Sequence, residues 1–230
     1  MCYQAISVSR QAALDIMRND VSNVMMVDSF KGAPAKMRMF DCFNPFRIWP
    51  EPIIPVPGQP GLLARSVESV WQGLKCVDGA CDFEQFLTSP SKRPGDDVRC
   101  RLADYRYADS QFVYGDRVLD LLSARFLIYL PTYLFMLERL VPETLLRKLY
   151  QHIANEGPVI FYDWDANQYI TDSSDSFSHS ALLASWFNGT LKTDYRALAH
   201  STLQGDDMRE FNAILDCLLG HYSSLHGEKP

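Results

Sequence analysis

The chain has 230 residues, 47% hydrophobic and 12% aromatic, which is enough apolar surface to bury a substantial core within one domain. A formal net charge of −6 and a pI near 5.3 exclude broad electrostatic capture of nucleic-acid backbone, which relies on clustered Lys and Arg. The first ten residues carry no basic segment followed by an apolar stretch, so a cytoplasmic protein is expected, with Cys2, Cys42, Cys76, Cys81, Cys100 and Cys217 as free thiols buried like small hydrophobes.

Ser9 can cap a helix through about Asn19, and Val21 to Val27 reads as a buried strand because apolar and β-branched residues dominate it. Residues 28–65 are rich in proline, with Pro50, Pro52, Pro55, Pro57 and Pro60, and predict an extended loop rather than a long helix. A helix follows over 66–75, then a short helical turn at Asp82 to Leu87 and a polar loop over 88–99. Helices are predicted at 115–130, 132–140 and 143–155, with Pro142 in a first turn and Gly157 just past an end. The most apolar run, Phe126 to Leu137, carries Pro131 in its middle and is shorter than the ~20 residues needed to cross hydrocarbon. It reads as a core helix pair broken at the proline, and no membrane partner is expected.

Pro158 to Trp164 predicts a buried strand, and Ser176 or Ser178 can cap a helix that Gly189 ends. Helices at about 193–203 and 207–221 close the chain. The fold class is therefore α+β, a predominantly helical single domain over 1–222 with a few short strands, followed by a mobile tail over 223–230.

The helix at 66–75 carries the chemistry. At helical pitch Val67, Val70, Trp71 and Leu74 form an apolar stripe, while Glu68, Gln72 and Lys75 line the adjacent face. A carboxylate beside an amide, a cation and an indole suits acid/base work, although the same spacing also describes a helix pointing its polar side at water. The pattern Val67-Glu68-x-x-x-Gln72-x-x-Lys75 resembles the signature helix of the NADAR or YbiA-like family. Phe43-Asn44-Pro45-Phe46 resembles the family's loop that walls the pocket, Lys92-Arg93 a basic pair after the helix, and Asp163-Trp164 the Asp/Trp order of its second half. Ser69 and Val70 stand where the family has His and an aromatic, and a Trp-Gly-x-Gly motif after Asp163 is missing.

The resemblance implies a YbiA-like fold and an N-glycosidase that cleaves a ribose C–N bond in an ADP-ribosylated nucleobase or a ribosylamine nucleotide intermediate. It gives Glu68 the role of activating water or stabilising an oxocarbenium-like centre, with Asp163 or Asp165 as the second acid/base group. Gln72 would fix a ribose hydroxyl or base edge, Lys75, Lys92 and Arg93 a phosphate, and Trp71 or Trp164 would stack on the base, with Asn44 and Phe46 walling the pocket. No metal and no cofactor is required. The partner is a nucleotide-like small molecule or ADP-ribosylated nucleic acid. The alternatives are a module that binds such a ligand without cleaving it, or a protein-interaction factor using the proline-rich loop.

Several features admit two readings. Lys92, Arg93, Arg99, Arg101 and Arg106 form a candidate phosphate patch, partly cancelled by Asp96, Asp97, Asp104 and Asp109. Asp163-Trp164-Asp165-Ala166-Asn167 imitates a calcium loop, but Gln168 replaces its turn glycine and Ser174 its bidentate glutamate. These aspartates either supply the pocket from a strand end or stabilise turns. His179, at a helix start, is a substrate contact or a local hydrogen-bonding group.

Overall fold

The computed structural model describes residues 3–19, 22–30, 35–95, 105–165 and 167–226. Its organising element is strand β8 (Val159–Tyr162), buried at every residue, as expected for the centre of a parallel sheet covered on both faces. Strands β1 (Ala5–Ser7) and β2 (Met25–Asp28) pair parallel on either side of it, with Ala5 and Met25 both opposite Val159. Helix α1 (Arg10–Arg18) links them, capped by Ser9, whose hydroxyl accepts from the Ala12 N–H. Alternation along β8 divides the core: Ile160 and Tyr162 pack with Ala13 of α1, whereas Val159 and Phe161 join the main core.

The proline-rich segment contributes a 3-10 helix at Ala35–Phe43 and the short pair β3 (Ile54–Pro55) and β4 (Leu63–Ala64). Ser66 caps helix α2 (Val67–Leu74) by accepting from the Ser69 N–H at 2.9 Å, and β5 (Lys75–Cys76) follows without a break. Beyond it, β6 (Gln111–Tyr114) and β7 (Arg117–Asp120) form an antiparallel hairpin turned at Gly115, which has a φ of 62°. This corrects the helix expected from 115. Phe112, Tyr114, Val118 and the tight Gly115-Asp116 turn carry a hairpin signal that the adjoining helical run obscured.

Helix α3 (Leu121–Arg139) corrects the break expected at Pro131, since the helix is continuous. Residues Arg125–Tyr129 form a π-helical turn in which the Leu130 N–H reaches the Arg125 carbonyl. Widening the helix just ahead of the proline accommodates its ring and its missing N–H. Among the described residues α3 alone is long and apolar enough to cross a membrane, and 83% of its apolar window is buried within the fold.

Helices α4 (Glu143–Asn155), α5 (His179–Phe187), α6 (Leu191–His200), α7 (Gly205–Leu218) and α8 (Gly220–His226) complete the domain. The helix expected over 207–221 is thus two, and the chain stays helical past the tail boundary expected at 223. Pro142 lies just outside α4 rather than in its first turn. Glu138 fastens this end of the molecule, accepting from Trp186 Nε1 at 2.7 Å and from the His221 and Tyr222 backbone N–H groups. One hydrophobic core joins Ala5 to Tyr222. The result is an α+β, mainly helical single domain with small sheets.

The cysteines are not uniformly buried. Cys42 is buried, Cys76 and Cys81 are half-buried with their sulfurs 3.4 Å apart, and Cys217 is exposed. Cys2, Val21 and Cys100 lie outside the described residues.

Gly73 lies where α2 meets the 3-10 helix at Phe83–Phe86. A Cβ there would come within 2.3 Å of the Phe86 ring. We expect Gly73→Ala to lower stability by about 1–3 kcal/mol through overpacking, despite the ~1 kcal/mol that alanine gains over glycine in an unhindered helix. Urea denaturation distinguishes the two signs.

Candidate functional site

A cavity of about 650 Å³ opens between the C-terminal ends of β2 and β8 and the face of α2. Strand ends of a parallel sheet are frequent ligand sites because the loops beyond them are free to carry functional side chains. Asn44, Phe46, Glu68, Trp71, Gln72, Lys75, Lys92, Arg93, Asp163, Trp164, Asp165 and His179 all line it. Residues spread over more than half the chain are thus brought to one place.

Helix α2 supplies the first wall. All eight of its residues are buried, so Glu68, Gln72 and Lys75 do not form the solvent-facing side their spacing also allowed. The Glu68 N–H, otherwise an orphan of the first turn, donates to the Pro45 carbonyl at 2.9 Å and docks the Asn44-Pro45-Phe46 loop. Glu68 itself is 6% exposed, and its Oε1 accepts from Gln72 Nε2 at 2.6 Å. Gln72 Oε1 accepts from the Arg93 N–H at 2.8 Å, which fixes the amide's orientation. Burial pushes the Glu68 carboxyl above the usual range, aided by the charge of Asp165 and only partly opposed by Gln72, Lys92 and Lys75.

The cations divide by task. Arg93 donates to the Gln72, Lys75 and Ala80 carbonyls, where it satisfies acceptors at the end of α2. Lys75, 3% exposed, donates to the Arg93 carbonyl and to Tyr105 Oη, each at 2.9 Å, beside the rings of Tyr105 and Tyr107. These two line the cavity and at the same time hold its wall together. Lys92 is the exposed member at the cavity edge. Arg106 pairs with Asp109, whereas Arg99, Arg101, Asp96, Asp97 and Asp104 lie outside the described residues.

The second wall comes from the sheet. Asp163 follows β8, and its Oδ2 accepts from His179 Nδ1 at 2.9 Å, from Ser178 Oγ at 2.7 Å and from the Ser180 N–H at 3.3 Å. Ser178 occupies the α5 cap position, but its hydroxyl turns to Asp163 instead of the helix. Burial opposes ionisation of Asp163, yet His179, Ser178 and Ser180 outweigh it and hold this carboxyl below the usual value. Asp165 is raised, by burial first and then by the charge of Asp163. Neighbouring carboxyls are thus driven in opposite directions, a combination that assigns acid and base roles.

The aromatic residues also separate. Trp71 lines the cavity but is 7% exposed and packs against Phe112 and Tyr129, with centroids at 4.0 and 5.5 Å. Trp164 is 67% exposed and lies 5.5 Å from Phe30, making a platform at the rim.

Sequence reading missed Ser29, Phe30, Tyr105, Tyr107, Arg125 and Tyr129. Arg125 carried a signal, a charge just ahead of the apolar run Phe126 to Leu137. It donates to the carbonyls of Ile170, Asp172 and Asp175. Those carbonyls of the calcium-like loop thus converge on a guanidinium, and no cluster of metal-ligating side chains occurs among the described residues.

Because folding raises the Glu68 pKa, its contribution to stability is full below the ordinary glutamate value and is lost as pH rises through the folded one. Glu68→Gln keeps an acceptor for Gln72 and removes the buried charge. We expect it to raise Tm at pH 8 by about 2 °C or more, with the gain shrinking toward pH 4.5, as calorimetry across pH will show.

Residues 9–183 match the family of unknown function DUF6939, and the chain belongs to that family. No curated protein and no solved structure matches it.

Proposed function

We propose, for this member of DUF6939, that the cavity is the active site of an N-glycosidase-like hydrolase that cleaves a ribose C1–N bond in a nucleotide-like ligand. The observation that carries this reading is the Glu68 carboxyl, buried on a cavity wall and held above its usual pKa opposite an ionised Asp163. C–N cleavage needs a proton for the departing nitrogen and negative charge near the oxocarbenium-like carbon. Glu68, whose hold on its proton burial strengthens, is the donor in this reading, and Asp163 supplies the charge. This reverses the role that family resemblance gave Glu68, and the reason is electrostatic. Asp165, whose proton affinity is raised by burial and by the charge of Asp163, is the group for deprotonating water.

The rest of the cavity suits such a ligand. Phe30 and Trp164 offer flat faces for a base, Asn44 an amide edge, and Lys92 a cation for a phosphate. A resemblance to the NADAR and YbiA-like enzymes is part of the same proposal, as are an ADP-ribosylated nucleobase or a ribosylamine nucleotide as substrate and a cytoplasmic location.

Mass spectrometry of wild type and Glu68→Gln incubated with ADP-ribosylated guanine DNA, ribosylamine pyrimidine phosphates and ADP-ribose derivatives tests the reading. We expect base and sugar to be released by wild type, a loss of about 100-fold or more in kcat/KM for the variant, and a wild-type rate that falls as pH rises through the Glu68 pKa. Equal release by both proteins contradicts the assignment. A ligand-dependent rise in Tm without any cleavage makes the cavity a nucleotide-binding module instead.

A further inference from the structure

Ser29, Asp163 and His179 form a second constellation in the cavity, independent of Glu68. Ser29 directly follows β2, Asp163 directly follows β8, and His179 opens α5. Ser29 Oγ lies 2.7 Å from His179 Nε2, and His179 Nδ1 lies 2.9 Å from Asp163 Oδ2. All three are buried and all three line the cavity.

An ionised carboxylate only accepts, so Nδ1 carries the proton that faces Asp163, and in the neutral imidazole Nε2 then presents its lone pair to Ser29. The Ser29 hydroxyl has a second acceptor, the Tyr162 carbonyl, but at 3.3 Å. The shorter contact is the one to the imidazole. Both ring nitrogens are therefore occupied, and the base strength of His179 reaches a cavity ligand only through Ser29 Oγ. A network that merely fastened α5 to the sheet is already complete without this link, because Ser178 and the Ser180 N–H bind the same Asp163 oxygen.

We propose that Ser29, His179 and Asp163 are a nucleophilic triad that gives the cavity a further activity, hydrolysis of carboxylic esters carrying an aromatic or heteroaromatic group. Triads are recognised by this geometry of nucleophile, base and orienting carboxylate rather than by sequence motif. Ser29 Oγ attacks the ester carbonyl carbon while its proton passes to His179 Nε2. The bond to the alcohol oxygen breaks, and that oxygen takes the proton from Nε2. Water then attacks acyl-Ser29 and gives a proton to Nε2, the acid departs, and Oγ recovers the proton. Asp163 steadies the imidazolium in each half. Asn44, whose Oδ1 accepts from the Phe46 N–H at 2.8 Å, lines the same cavity, and its NH2 group is the proposed donor to the developing oxyanion. Phe30 and Trp164, next in sequence to Ser29 and Asp163, supply the aromatic contact.

The test is reaction of the full chain with a fluorophosphonate ester, followed by intact and peptide mass spectrometry. This probe has no glycosidic bond, so its outcome is separate from that of the N-ribosyl reading. We expect one adduct, mapped to Ser29 with loss of fluoride, none in Ser29→Ala, and labelling about 100-fold or more slower in His179→Gln, with 4-nitrophenyl butyrate giving a burst of nitrophenolate. Circular dichroism verifies that the variants are folded, and Asp163→Asn serves in place of a His179 variant that does not fold. No adduct at Ser29 in folded wild type, or equal labelling rates in wild type and the folded His179 or Asp163 variant, overturns the proposal.

Discussion

Withdrawing Glu68 from water is the constraint around which the cavity is built. A buried carboxylate is costly unless something hydrogen-bonds or neutralises it. Here the compensation is partial: Gln72 donates to one oxygen, and its own carbonyl is held by the Arg93 N–H. Arg93 then returns across the end of α2 to three backbone carbonyls, and Lys75 binds the Arg93 carbonyl in turn. The four residues form a closed set in which moving any one unfastens the others. The amide restrains the carboxyl without supplying a full counter-charge, so its proton affinity stays raised. A structural ion pair would have had the opposite effect.

The opposite wall shows what fuller compensation looks like. Asp163 is equally withdrawn, but with an imidazole, a hydroxyl and a backbone N–H on one oxygen it stays ionised. The fold explains the difference. Asp163 emerges from the central strand against the first turn of α5, where donors converge, whereas Glu68 emerges from a helix packed on apolar neighbours. From the π-turn of α3, Arg125 holds the carbonyls of the loop joining Asp165 to α5.

Much of the site was legible in the sequence because its parts are local. The spacing of Glu68, Gln72 and Lys75 placed them together on a helix, and the apolar run before Asp163 placed that carboxyl at a strand end. Partnerships across the chain were not legible. The structural use of Lys75 and Arg93 depends on a return of the chain that no local pattern encodes, and a serine ending a short strand gives no hint of a histidine 150 positions away. The fold errors have similar causes. The hairpin ending at Asp120 abuts the helix that begins at Leu121, so two periods ran together, and the continuity of α3 through Pro131 rests on a π-turn that composition does not announce.

The most direct measurement is a titration of the Glu68 side-chain carboxyl by carbon-13 NMR, in wild type and in Asp165→Asn. The account predicts a pKa clearly above that of an ordinary glutamate and a downward shift when the neighbouring carboxyl is removed, because Asp165 contributes to the elevation. A Glu68 pKa at or below 4.5 in wild type would mean that the carboxyl is solvated or fully paired, and the claim that it is a buried proton donor would fail.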